Sequence, residues 1–344
     1  MRCRGRGRRV RHVRYRPWDE GISSVGGDGP GPHVLSGSLP PTTLARVKRT
    51  ITLDPAPDLR LTFGHLHGGT THPHRPLGRS EGWRASRTPQ GAATLHLLVD
   101  GVRIDATGWG PGAEWALEHL PDLLGARDDP TSFPTNSHRL MRELRKQFFG
   151  LRIARTEQVH EALVPIILGQ VVTRTEARRA ERRLIEEYGE DAPGPEPLRL
   201  QPEPAVLARL KYEDFHPLGI ARKKALLIIE VSRRAARLAE IAGMDSLTAE
   251  KRLQAVPGIG PWSSALVISE CLGDPDAVPV GDYHLPNTVA WALAGEARAT
   301  DGRMLELLEP YRPHRYRAAL MLKLSGIGAP KYGPRTEVRS FSNY

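Results

Sequence analysis

The sequence predicts a mainly α-helical protein in which helical domains follow a small α+β domain with an antiparallel sheet. Three observations carry that expectation. Strand signals, either alternating or β-branched, are confined to residues 47–108. From Ser137 onward the apolar residues recur at helical spacing. No fixed-period repeat interrupts either part.

Four segments, VKRTITL (47–53), LRLTFGHL (59–66), ATLHLLV (93–99) and VRIDATGW (102–109), read as strands between Gly/Pro loops. A helix pattern follows over 111–124. Val159, Leu163, Ile166, Ile167 and Gln170–Val171 mark one helix, and 178–188 continues it or starts another that ends at Gly189. PGPEPLRLQPEP (193–204) reads as a loop. Further helices are expected over 205–210, 220–239, 249–256, 261–272, 289–293, 304–308 and 316–324. The domain boundaries that result are a tail (1–46), the α+β domain (47–128), the helical domains (129–328) and a flexible end (329–344).

The formal net charge of +10 rests mostly on the tail, where residues 2–16 hold eight arginines and no acid. Without them the remainder is about +2, so the basic balance says little about the folded part. The tail has no apolar core of the kind a secretory signal needs. The Gly, Pro and Ser of 22–41 point to disorder. No run reaches the ~18 apolar residues of a membrane span. Two cysteines, Cys3 and Cys271, exclude a disulfide framework, a four-cysteine zinc site and a cysteine-bound iron–sulfur cluster. A cytoplasmic protein in a reducing compartment is expected.

Chemistry concentrates in two stretches. In VPGIGPW (256–262) a short helix, which Thr248 could cap, meets a turn in which Gly258 and Gly260 free the backbone. Pro261 then suits the first turn of the next helix. A helix that opens this way presents free N–H groups to an anion such as phosphate; a plain turn between helices is the alternative. In PVGDYHLPN (279–287) one aspartate, Asp282, stands alone. It could cap the next helix, but Pro286 would then fall where a helical N–H is needed. A helix that begins nearer Pro286 leaves Asp282 on the lead-in, free to face a cleft.

Leu253 to Trp262, followed by Val280-Gly-Asp282 and Asn287, resembles the helix-hairpin-helix, Gly/Pro, aspartate signature of a DNA glycosylase superfamily, most like DNA-3-methyladenine glycosylase II. The likeness spans roughly 108–325 and includes Gly150-Leu-Arg, Ile167-Leu-Gly-Gln170 and Gly219 with Lys224. It implies a helix-hairpin-helix glycosylase fold and a monofunctional enzyme that removes alkylated purines from double-stranded DNA during base excision repair, leaving an abasic site. The alternatives are deaminated or oxidised bases on the same scaffold, or a non-catalytic DNA-binding protein. A monomer, associated with the nucleoid, is expected.

The resemblance also assigns residues. Asp282 matches the catalytic aspartate, and Trp262 an aromatic of the base pocket, with Tyr283 a second candidate. Leu266 and Lys323 stand where the family has other pocket aromatics, which leaves the substrate range open. Gln170 and Val171 match the wedge into the base stack; helix core is the alternative. Gly258 and Gly260 would hold a phosphate. Gly219 and Lys224 would lie near the DNA backbone, unless Arg222, Lys223 and Lys224 form only a solvated basic face. The carbonyls of Gln254, Val256 and Ile259 would take a monovalent cation, and no other cofactor is expected. Trp262 also occupies the position of the lysine of the bifunctional lyases, and an indole cannot form a Schiff base. His65, His67, His72 and His74 lie in a Gly/Thr/Pro loop without acid or Cys partners and read as poor metal ligands. Arg178, Arg179, Arg182 and Arg183, interleaved with four glutamates, read as a salt-bridged exposed helix face.

Overall fold

A computed structural model describes residues 46–67 and 77–330. Most of the expected tail, His72, His74 and most of the C-terminal end lie outside the described residues.

The α+β domain holds strands β1 (Arg46–Thr52), β2 (Glu81–Thr88), β3 (Gly91–Asp100) and β4 (Arg103–Trp109) in one antiparallel sheet of order β1-β4-β3-β2. β1 therefore starts one residue inside the stretch assigned to the tail. Leu95, Leu97, Ile104 and Ala106 form the buried face of the sheet. Helices α1 (Leu59–Phe63), α2 (Ala113–Glu118) and α3 (Leu120–Leu123) cover it with Leu59, Leu117 and Leu120.

Two expectations fail here. LRLTFGHL is α1, not a strand. Its alternation of Leu59, Leu61 and Phe63 mimics period two, but Asp58 accepts from the Leu61 N–H at 3.1 Å and starts a helix. That turn buries Leu59 and Phe63, an i,i+4 pair. β2, EGWRASRT, carries no apolar alternation; the free edge of β3 supplies the pairing that its own sequence does not announce.

The helical part runs through α4 (Arg139–Gln147), α5 (Val159–Leu168), α6 (Arg174–Tyr188), α7 (Pro204–Leu207), α8 (Tyr212–Phe215), α9 (Arg222–Arg233), α10 (Ala235–Ala239), α11 (Ser246–Gln254), α12 (Pro261–Val267), α13 (Leu285–Ala294), α14 (Asp301–Leu308) and α15 (Arg315–Leu324). Gly169 ends α5, and Thr173 starts α6 with a capping box closed by Glu176, so the two are separate helices. The expected loop at 193–204 contains a short strand, β6 (Arg199–Leu200), paired with β5 (Glu190–Asp191).

Two apolar cores result. In one, α5 is buried almost throughout, against α9, α10 and α12. In the other, Met141, Leu151, Ile153 and Val289 pack with Met304, Leu308 and Leu320. A buried charge cluster ties this second core to the α+β domain. Asp128 accepts from the Ile153 N–H at 2.9 Å and pairs with Arg317. Arg317 also donates to the Leu151 carbonyl at 3.1 Å, and Arg152 donates to the carbonyls of Pro55 and Gly125. The Gly150-Leu-Arg motif belongs to this junction: a Cβ on Gly150 would lie 2.9 Å from the Asp58 backbone nitrogen.

Candidate active site

The hairpin forms as its residues demand, with two corrections. Asp245, not Thr248, caps α11; it accepts from the Thr248 N–H at 3.0 Å and from its hydroxyl at 2.7 Å. After α11 the Ile259 N–H closes the turn on the Val256 carbonyl at 3.0 Å. Gly258 has φ of +100°, and a Cβ there would lie 3.0 Å from Leu227 Cδ2. Glycine at 258 is thus required by backbone and packing. Gly260 is different: φ is −103° with extended ψ, and nothing lies within 4 Å of where its Cβ would be. The fold does not need glycine at 260. Pro261 opens α12, and a π-helical segment (Ile268–Leu272) continues it. The expected 261–272 helix is therefore continuous but widens in its last five residues.

Asp282 follows this run. The next helix starts at Leu285, with Pro286 in its first turn. One carboxylate oxygen accepts from the His284 and Leu285 N–H groups at 2.8 and 2.9 Å. The other accepts from the Trp262 indole N–H at 3.2 Å. Asp282 therefore both steadies the helix start and faces the hairpin, two roles that the sequence presented as alternatives. The far edge of the Trp262 ring lies against the end of α5, 3.8 Å from where a Gly169 Cβ would stand. The indole is braced at both ends, between α5 and the carboxylate.

Gln170 joins this arrangement. Its amide donates to the Gly258 carbonyl and to the Ser263 hydroxyl, both at 3.1 Å. Val171 lies just outside α5 with φ of +55° and is fully exposed, at 103% of its reference area. A β-branched residue rarely adopts that backbone, and an apolar side chain there gains nothing from the free protein. Helix core, the alternative, is thus ruled out for Val171.

Other residues fall elsewhere. Leu266 is buried in the apolar core with Val267 and Ile268. Tyr283 is 87% exposed and meets His284 edge-on rather than walling a closed pocket. Lys224 is not a free cation on a helix start: it donates to the Leu168 carbonyl at 2.7 Å, closing the end of α5, and burial brings it down to about 8. Gly219 closes a turn with φ of +77° after residues 216–218. The carbonyls of Gln254, Val256 and Ile259 stand in the hairpin turn, and that of Val256 already accepts one N–H. On α6, Arg182 and Glu186 approach to 3.9 Å, both exposed.

Lys323 is solvent-exposed on α15. Protein packing around it lowers its ammonium from the ordinary value and Arg174 adds to this, while Asp282 and Glu270 oppose it. Glu270 itself escaped the sequence reading, which named His67 but gave it no acid partner. It sits in the π-helical segment, 2% exposed, and accepts from the His67 backbone N–H at 2.9 Å and from its ring Nδ1 at 2.5 Å. His67 therefore does have an acid partner, 203 residues away in the chain. Burial raises the Glu270 carboxyl, but the contacts from His67 outweigh this and hold it below the ordinary value. Burial pushes Glu181, near the same pair, up to about 7. Among the described residues no three His, Cys, Asp or Glu side chains are grouped to hold a metal ion, and no helix is long and apolar enough to cross a membrane.

No family model matches the chain. It is 26% identical over 213 residues to a DNA-3-methyladenine glycosylase of Bacillus subtilis, which covers 59% of this chain and 70% of that protein. A solved 3-methyladenine DNA glycosylase from Archaeoglobus fulgidus has the same fold, with a TM-score of 0.67 at 19% identity over 80% of this chain and 97% of its own. An 8-oxoguanine glycosylase/lyase of Clostridium acetobutylicum aligns with a TM-score of 0.61 at 13% identity, over 82% and 98%. With its hairpin and its following aspartate, the chain has the fold of these helix-hairpin-helix glycosylases and is similar in sequence to DNA-3-methyladenine glycosylases.

Proposed function

We propose that the protein is a monofunctional DNA glycosylase that excises alkylated purines from double-stranded DNA and leaves an abasic site. The observation that carries this is the geometry of Asp282. Backbone N–H groups hold one oxygen and an indole N–H orients the other, beside a hairpin suited to a phosphate. A 3- or 7-alkylpurine is cationic and leaves as a neutral base, so no acid is needed. The carboxylate stabilises the cationic sugar and aligns the attacking water. The Trp262 face suits a flat cationic base. Such enzymes act on a base drawn out of the duplex, and the full exposure of Val171 supports its reading as an apolar wedge that fills the gap. Backbone carbonyls are hard oxygen donors, so Gln254, Val256 and Ile259 suit a monovalent cation that would steady the turn. Duplexes that each contain one modified base, scored for abasic-site formation, test the reading. An alkylated purine should stand at the head, and no excision anywhere in the panel would reject it.

The open space at Gly260 is the feature expected where a phosphate approaches the backbone. Gly260→Leu should leave stability within about 0.5 kcal/mol but weaken binding to every duplex alike, about tenfold. Gly258→Leu should instead destabilise the protein, because its φ excludes a side chain. Thermal melts and fluorescence anisotropy separate the two; a Gly260→Leu protein that binds normally removes the hairpin from the interface.

No lyase step is expected, since the indole of Trp262 replaces the lyase amine. Lys323 is the lysine nearest to contradicting this, because its pKa is lowered and it lies within electrostatic reach of Asp282. Borohydride trapping on abasic and lesion-containing DNA should give no covalent complex, with strand cleavage only after alkali. A complex that disappears in Lys323→Ala would overturn the monofunctional assignment.

A further inference from the structure

Residues 169–173 join α5 to α6, and side-chain contacts hold the join at its two ends and in the middle. At one end Lys224 of α9 donates to the Leu168 carbonyl at 2.7 Å. At the other the Thr173 N–H donates to the Glu176 carboxylate at 2.8 Å, within the capping box of α6. Between them Gln170 reaches across to the hairpin. Its Nε2 donates to the Gly258 carbonyl and to the Ser263 hydroxyl, both at 3.1 Å. An amide nitrogen carries two N–H groups, so one side chain grips both the glycine turn and the first turn of α12. Ser263 is only 2% exposed. The residue after Gln170 is Val171, fully exposed and with φ of +55°.

We propose that Gln170 is a positioning residue for Val171 rather than part of the wedge itself. It ties the exposed valine to the hairpin, so that the side chain entering the base stack and the turn that grips the phosphate stand at one fixed separation. This rests on the glycosylase reading above, with Val171 as its wedge. Unstacking costs free energy at each step, and a wedge can bear that load only if its support does not give way. The backbone of Val171 supplies no such support. A positive φ is disfavoured for a β-branched residue, so its surroundings must hold it there. The Gln170 amide holds it to the element that, through the phosphate, holds the DNA. With both N–H groups given to the hairpin, Gln170 has no donor left for a base edge.

The full chain tests this in single turnover, on duplex DNA carrying 7-methylguanine or whichever base of the panel the wild type removes fastest. Gln170→Met keeps the length and removes the donor. It should excise about tenfold more slowly, the worth of one or two hydrogen bonds. With the same base opposite a mismatch, where opening costs less, the loss should shrink to about threefold or below. Ser263→Ala, at a residue too buried for DNA to touch, should lose about threefold in the paired duplex. Val171→Ala should lose as much as Gln170→Met. The double substitution should match the slower single one within about twofold, because both act through one insertion. Thermal melts control for folding. Losses that multiply in the double substitution would make Gln170 a DNA contact in its own right and overturn the proposal. So would an unchanged rate in Gln170→Met or Ser263→Ala, or an equal loss opposite the mismatch. A normal rate in Val171→Ala would reject the wedge, and this proposal with it. A wild type that excises no base in the panel would instead reject the glycosylase reading, on which the proposal stands.

Discussion

Asp282→Asn is expected to lower single-turnover excision by ~10²-fold or more, the scale of a positioned catalytic group. Affinity for DNA that already contains an abasic site should change little. Asparagine is the informative substitution because its carbonyl can still accept from the His284 and Leu285 N–H groups, so the start of α13 survives. What changes is the other oxygen. An NH2 in its place would point a donor at the indole N–H that now bonds to it. That mismatch should cost about 1 kcal/mol of stability, visible as a small shift in melting and too small to explain the kinetic loss. A mutant that excises at near-normal rate would remove Asp282 from the chemistry.

The largest loss of stability is expected from Asp128→Ala, at about 3–5 kcal/mol. Arg317 is 1% exposed and its guanidinium pairs with Asp128. Removing the carboxylate leaves a buried cation without its counter-charge and the Ile153 N–H without its acceptor. Denaturant unfolding measures this directly. A loss under about 1 kcal/mol would mean that water reaches the junction. The exposed Arg182–Glu186 pair provides the contrast: Glu186→Ala should leave the unfolding midpoint unmoved.

What the sequence discloses and what it hides divide along a physical line. Gly258, Pro261 and Asp282 act through local backbone geometry, so their spacing announces the hairpin and the aspartate after it. β1, β3 and β4 carry their own period. Features that depend on a distant partner are silent. β2 is a strand because β3 lies beside it. Lys224 looks like a surface cation until the Leu168 carbonyl, 56 residues away, claims it. Glu270 is one acid in an apolar run until His67 arrives from the α+β domain. Asp282 was legible as a residue at the cleft, but not as one that also holds the helix start, because that requires the actual position of the His284 and Leu285 N–H groups.

If Val171 is the wedge proposed above, its full exposure would make lesion search a mechanical trial. Val171 stands clear of the protein on a backbone that its side chain disfavours, so on that reading each stop on DNA would ask whether the stack at that point yields. Sound pairs would resist and the protein would move on; mismatched or damaged pairs would part more easily, since unstacking costs least there. Part of the discrimination would then be complete before any base reached Trp262 or Asp282, and it would depend on the softness of the duplex rather than on the identity of the base. A lesion in a flexible step should be found sooner than the same lesion in a stiff tract.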